Sequence, residues 1–201
     1  MSTLLMSTVA TLAQRQTDLT RQVILAAALD TLERGSLSDL TVRAVAKRAN
    51  IAERTVFRYF PSREAFLDAV AAAMSQALQL PPAPRTRAEL LAAARGLYER
   101  FEARASLTRA ALHTDLFHRM RESQARVRWT AVRKLIDELA ARRPERDRRI
   151  AAANIRYYLA ASTWHYYRSY FGFSLEDSIA AAELAVRSML DGIAGPAKRK
   201  P

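Results

Sequence analysis

Along almost the whole chain apolar residues recur every three or four positions, and nowhere do β-branched residues alternate with polar ones. That period puts one stripe of each segment inward and predicts helices without strands. Residues 1–17 are small and polar with no stripe and read as a flexible arm, whose only cation is Arg15. Asp18 to Arg34 reads as a first helix, with Leu19, Val23 and Ala27 inward beside Ile24, Ala28 and Leu32, and Gly35 closing it.

The next segment carries the sharpest punctuation. Thr41 can cap a helix whose inner face is Val42, Val45 and Ala46, and Asn50 tolerates the left-handed backbone that ends one. Ala52 to Phe60 restarts a short helix with Val56 and Phe60 inward, leaving Arg54, Thr55, Arg58 and Tyr59 outward. Pro61-Ser62 stops it, and Phe66, Leu67 and Val70 begin another. Two short helices joined by a tight turn, the second rimmed with arginine, suit the major groove of duplex DNA.

Leu80-Pro-Pro-Ala-Pro-Arg is the clearest boundary. Beyond it, Thr86 and Glu89 form a capping box ahead of Leu90, Ala94, Leu97, Tyr98 and Phe101. A short piece over about Leu107 to His118 precedes a long helix to about Arg142, with Val127, Ala131, Leu135 and Leu139 in one row beside Val132 and Ile136. Asp147 to Tyr170 reads as one aromatic-rich helix ended by Gly172. Ser174 with Asp177 opens the last, whose face is Leu175, Ile179, Ala182, Val186, Leu190 and Ile193. The expectation is an all-α protein of about nine helices, with an arm at 1–17, a helix-turn-helix domain at 18–79 and a second helical domain at 80–201.

With 201 residues, half of them hydrophobic, the chain can bury one or two cores. It has no cysteine, hence no disulfide or thiolate chemistry. Leu4-Leu5-Met6 lacks the basic start and long apolar run of a signal peptide, and no window spans a bilayer. A soluble, cytoplasmic protein without membrane contact is expected. The net charge of +12 is uneven: residues 1–80 carry 9 Lys/Arg against 7 Asp/Glu, and residues 81–201 the remaining 23 against 13. The excess therefore lies outside the helix-turn-helix, in runs such as Arg142, Arg143, Arg146, Arg148 and Arg149 and the tail Lys198-Arg199-Lys200. Solvated surface, attraction to DNA and an anionic ligand all remain open as its role.

The stretch Ile24 to Val70 resembles the DNA-binding domain of the TetR family of transcriptional regulators. The resemblance rests on Thr41, on the turn Asn50-Ile51-Ala52, on Thr55-Val56-Phe57-Arg58-Tyr59-Phe60 and on Arg63-Glu64. It departs from the family pattern at Ala52, which lacks the usual serine's capping hydroxyl; at Phe57, where a phosphate-contacting tyrosine is usual; and at Tyr59, which stands for histidine. The outward residues are assigned accordingly. Arg54, Thr55 and Arg58 are expected at base edges, where arginine reads guanine bidentately, and Thr41, Arg43, Tyr59 and Arg63 at phosphates. Phe57 completes the DNA-facing set.

The resemblance also implies a homodimer paired through its last two helices, and a small-molecule pocket in the second domain. One recognition helix by itself reads few bases, which is an independent reason for a dimer. The interface is expected at Tyr158, Ser162, His165, Ala182, Val186 and Met189. Pocket residues are expected to be Tyr98, Phe101, Leu112, Phe117, Trp129 and Trp164, with His113 and Arg156 as polar anchors for an apolar or amphipathic effector.

Enzymatic function is not expected. His113 and His118 lie five apart and diverge on a helix, while Asp115, His118 and Glu122 are a solvated face before they are a metal site. Five glycines and no phosphate loop, nucleophile elbow or zincin motif leave no cofactor or metal to expect. The chain thus reads as a homodimeric, ligand-responsive regulator, most simply a repressor, on a near-palindromic site in double-stranded DNA. The alternative is an effector-independent architectural DNA-binding protein that uses its arginine-rich half as a phosphate clamp.

Overall fold

In the computed structural model, residues 12–35, 39–112 and 116–194 are described. Ten helices account for most of them, and no strand occurs among the described residues. The chain divides into two compact units at Val70/Ala71, inside the fourth helix, rather than at the proline-rich segment.

The first unit holds α1 (Leu12–Arg34), α2 (Val42–Arg48), α3 (Glu53–Tyr59) and the start of α4 (Arg63–Ala77). Helix α1 begins at Leu12, so residues 12–17 are helical, not part of an arm. Among the described side chains its buried residues run from Ile24 to Leu32, and Leu19, at 61% exposure, and Val23 lie outside the core they were expected to join. Helix α2 packs on α1 and α3. Thr41 Oγ1 accepts from Ala44 N (3.1 Å) and so caps α2. At its other end Asn50 has φ 53°, with Asn50 N bonded to Lys47 O (3.3 Å) and Ile51 N to Ala46 O (3.0 Å). This paired arrangement closes the helix through a left-handed residue and turns the chain sharply into α3. Val45, Val56, Phe60 and Phe66 fill the core, the last two rings meeting edge to face at 5.5 Å. Ser62 Oγ accepts from Ala65 N (3.1 Å) and opens α4.

The second unit comprises the rest of α4, then α5 (Arg87–Ala103), α6 (Ala105–Leu112), α7 (Leu116–Leu139), α8 (Glu145–Tyr158), α9 (Ala161–Ser169) and α10 (Leu175–Ala194). Helix α10 packs on α5 and α8, and α8 packs on α7. Their shared core is Leu90, Tyr98, Ile136, Ile155, Trp164, Ile179 and Val186, with their neighbours. The Thr86 cap forms as read, accepting from Glu89 N (3.1 Å), and Glu89 reaches back to Arg85 N (2.8 Å). Ser174 Oγ likewise accepts from Asp177 N (3.0 Å).

Two expectations fail here for identifiable reasons. The single helix expected over Asp147–Tyr170 is broken at Leu159-Ala160 without proline or glycine. The break is stabilised from outside: the carbonyl of Tyr158 accepts from the Tyr98 hydroxyl (2.7 Å), and that of Tyr157 accepts from the Thr163 hydroxyl. Carbonyls freed at a helix end otherwise need water or a cap. In α7 the inward row runs through Val132, Leu135 and Ile136, so Val127, one position off it, is 63% exposed.

Part of the basic run has a structural task. Arg143 donates to the carbonyls of Ile193 (3.1 Å) and Gly192 (3.3 Å) at the end of α10, where the helix dipole favours a cation. Arg133 and Arg148 both approach Asp137, at 3.2 and 3.4 Å.

Candidate functional site

All eight residues expected at DNA lie between positions 41 and 63 of the first unit. Arg54 and Arg58 are exposed, four apart on α3 and therefore on one face. Thr55 between them is half-buried. Phe57 is 52% exposed, an apolar ring standing in solvent on a seven-residue helix. Thr41, Arg43 and Arg63 are exposed at the starts of α2 and α4. The Thr41 hydroxyl already accepts a backbone hydrogen bond, which leaves its proton to donate.

The arginines do not project at random. The Arg58 guanidinium lies over the Tyr59 ring, 5.4 Å from its centroid, and Arg21 of α1 lies 4.7 Å over Phe60. Tyr59 is half-buried. Thr20 of α1 and the neighbouring Arg58 hold its phenol below the ordinary value, against the opposing effect of burial. Arg48, by contrast, is engaged within the unit, with Nη1 2.6 Å from Asp30. Ala52 precedes α3 with no side-chain cap, as its sequence implied.

The second unit holds a half-open cavity of about 580 Å³. Four expected pocket residues line it: Phe101, Leu112, Trp129 and Arg156. Tyr98 and Trp164 do not. Both are fully buried in the core, Tyr98 bonded to the Tyr158 carbonyl and Trp164 Nε1 donating to Glu102 (3.0 Å). Burial pushes the Tyr98 phenol well up. His113 lies outside the described residues, as does the side chain of Phe117. The sequence reading missed Arg128, which lines the cavity. The signal was present, because Arg128, Val132, Leu135 and Leu139 fall on one helical row.

Glu102 organises a polar knot beside this core. It accepts from Arg168 Nε (3.0 Å) and Nη2 (2.9 Å) as well as from Trp164. The Arg168 hydrogen bonds hold its carboxyl below the ordinary value, against the opposing effect of burial.

The expected interface residues separate into two groups. Ala182 and Val186 are completely buried by their own chain and have no surface to offer a second copy. Tyr158 and Met189 are half-buried against the core. Ser162 lines the cavity, and His165 Nδ1 lies 3.0 Å from Ser169 Oγ. Sequence periodicity found the apolar face of α10 but could not tell which partner covers it. Outward apolar surface lies elsewhere, at Tyr166, Tyr170, Phe171 and Phe173, at Tyr157, and singly at Val127, Ile150 and Leu184. Tyr170 is 72% exposed and stacks on Tyr166 at 4.7 Å.

Of the residues weighed as a metal site, His113 and Asp115 lie outside the described residues, as do the side chains of His118 and Glu122. No helix among the described residues is long and apolar enough to cross a membrane.

A tight turn, a short helix with paired outward arginines and a capped preceding helix define a helix-turn-helix unit of the DNA-binding type. Residues 24–70 match the family model of bacterial regulatory proteins, tetR family, so the first unit carries the DNA-binding domain typical of that family. Over most of its length the fold of the chain is similar to solved structures. One is a tetR-family transcriptional regulator from Streptomyces coelicolor, 17% identical, with a TM-score of 0.63 over 88% of this chain and 82% of that one. Another is a TetR variant from Acinetobacter baumannii in complex with minocycline, 20% identical, with a TM-score of 0.52 over 85% and 94%. No curated protein matches the chain.

Proposed function

We propose that this regulator is a cytoplasmic, ligand-responsive repressor that binds a near-palindromic operator as a homodimer. The carrying observation is α3: Val56 and the following Phe60 fix its inner side while Arg54 and Arg58 share the outer one. Arg54, Thr55 and Arg58 read base edges, and Thr41, Arg43 and Arg63 hold phosphates. Tyr59 positions Arg58 through its ring, and Phe57 packs on sugar or thymine methyl.

The cavity in the second unit supports ligand response. It falls within the size range of small-molecule sites and is lined mostly by apolar side chains. Its wall includes Ser75 of α4, the helix that begins just after α3. An effector that binds better in a state with misplaced DNA-binding units would release the operator, by an amount set by its differential affinity. The exposed aromatics Tyr166, Tyr170 and Phe171 support a second copy as partner, since apolar rings of that size gain most from being covered. No catalytic step belongs to this reading.

Selection of binding sites from random duplex DNA at physiological salt tests it. A twofold-symmetric motif is expected. Binding without sequence enrichment that vanishes as salt rises would instead favour an architectural protein clamping phosphates.

A further inference from the structure

The cavity wall contains no aspartate or glutamate among the described residues, yet it includes two arginines, Arg128 and Arg156. Arg128 belongs to the inward row of α7, in line with Val132, Leu135 and Leu139, and is half-buried. One of its nitrogens, Nη2, donates to the carbonyl of Pro81. Desolvation lowers its pKa from the ordinary arginine value, and no carboxylate among the described residues offsets it. Other arginines of the same unit behave oppositely: Arg95 and Arg168 sit against Glu176 and Glu102, and those partners raise them. Holding a guanidinium among apolar groups without an anion is costly, and a ligand carrying one would offset that cost. Arginine's planar fork matches a carboxylate in particular.

We infer that the cavity takes an amphipathic monoanion, its carboxylate-like head on Arg128 and its apolar body against Leu97, Phe101 and Trp129. The inference rests on the ligand-responsive reading above and names the ligand class of the same cavity.

Calorimetric titration of the full chain with decanoate, decanol and decyltrimethylammonium, each below its micelle concentration, separates head groups on one tail. Decanoate is expected to bind once per chain and at least about tenfold more tightly than the other two, as charge-assisted hydrogen bonds in a desolvated site require. Arg128→Met is expected to abolish the preference and Arg128→Lys to keep part of it. Equal or tighter binding of decanol or decyltrimethylammonium would overturn the inference. So would the absence of saturable decanoate binding, or a preference unchanged in Arg128→Met. The head-group series on the unsubstituted chain decides the matter even where a variant fails to fold. Adding the same probes to the protein on its selected duplex keeps the two readings distinct. Decanoate that binds without releasing DNA upholds the anion assignment and overturns ligand response. Release by decanol or decyltrimethylammonium alone does the reverse.

Discussion

The two units differ in how far local sequence decides which side chains face outward. In the first, Phe57 stands in solvent on α3 while Phe60 and Phe66, with Val45, Ala46 and Val56, fill the interior of a short motif. In the second, the large aromatics Tyr98 and Trp164 are sealed inside, and the cavity wall is drawn partly from smaller residues such as Leu112, Ala160 and Ser162. An aromatic at helical spacing is therefore a poor guide to the cavity wall, whereas Arg128, a charge placed on an apolar row, lies on it. In the first unit function follows from what local caps and turns push outward. In the second it follows from where packing leaves space, which no single helix determines.

Several substitutions would break or sharpen that contrast. The largest effect is expected from Trp164→Ala, which should cost about 3–5 kcal/mol in denaturant unfolding, because it empties a fully buried indole site. A variant of unchanged stability that lost only ligand binding would return Trp164 to the pocket. Tyr98→Phe should cost about 1–3 kcal/mol, leaving the Tyr158 carbonyl at the α8/α9 break without its hydroxyl donor. Urea melts of this variant alone would measure it, and a neutral result would mean that water replaces the hydroxyl. In the first unit, Ala52→Ser should stabilise by about 0.5–1 kcal/mol by supplying α3 with its missing cap. A destabilised variant would show the first turn to be satisfied otherwise.

The smallest effect concerns pH. Glu102 is held below its ordinary 4.5 by Arg168. A carboxylate depressed in the folded state contributes stability that is present above the unfolded value and is lost as pH falls through the folded one. Glu102→Gln should accordingly flatten the acid limb of stability below about pH 4.5 and leave its slope near neutrality unchanged. An identical acid limb in variant and parent would assign the pH dependence to other carboxylates.

Legibility in the sequence followed the range of the forces involved. Thr41, Asn50, Ser62, Thr86 and Ser174 act on backbone groups within a few residues, so their caps and turns could be read directly and are found in place. The helix-turn-helix and its outward arginines were legible for the same reason. The break at Leu159-Ala160 was not, because one of its two stabilising hydroxyls comes from Tyr98, 60 residues away. Ala182 and Val186 carried an apolar signal that is the same whether the covering surface is a second copy or the chain itself. The row of α7 was misjudged by one position at its N-terminal end, since Val127 is apolar and Arg128 is not, although Arg128 is the one that faces inward.

In the proposed complex α3 reads sequence through Arg58 while Arg63 holds the backbone. This division of roles is tested most directly by measuring equilibrium binding of the parent, Arg58→Ala and Arg63→Ala to the selected duplex and to its single-base variants. Arg58→Ala should lose about 1–3 kcal/mol of discrimination at one base pair of each half-site, and Arg63→Ala should weaken all duplexes alike. Equal losses on every duplex for both variants would contradict the account.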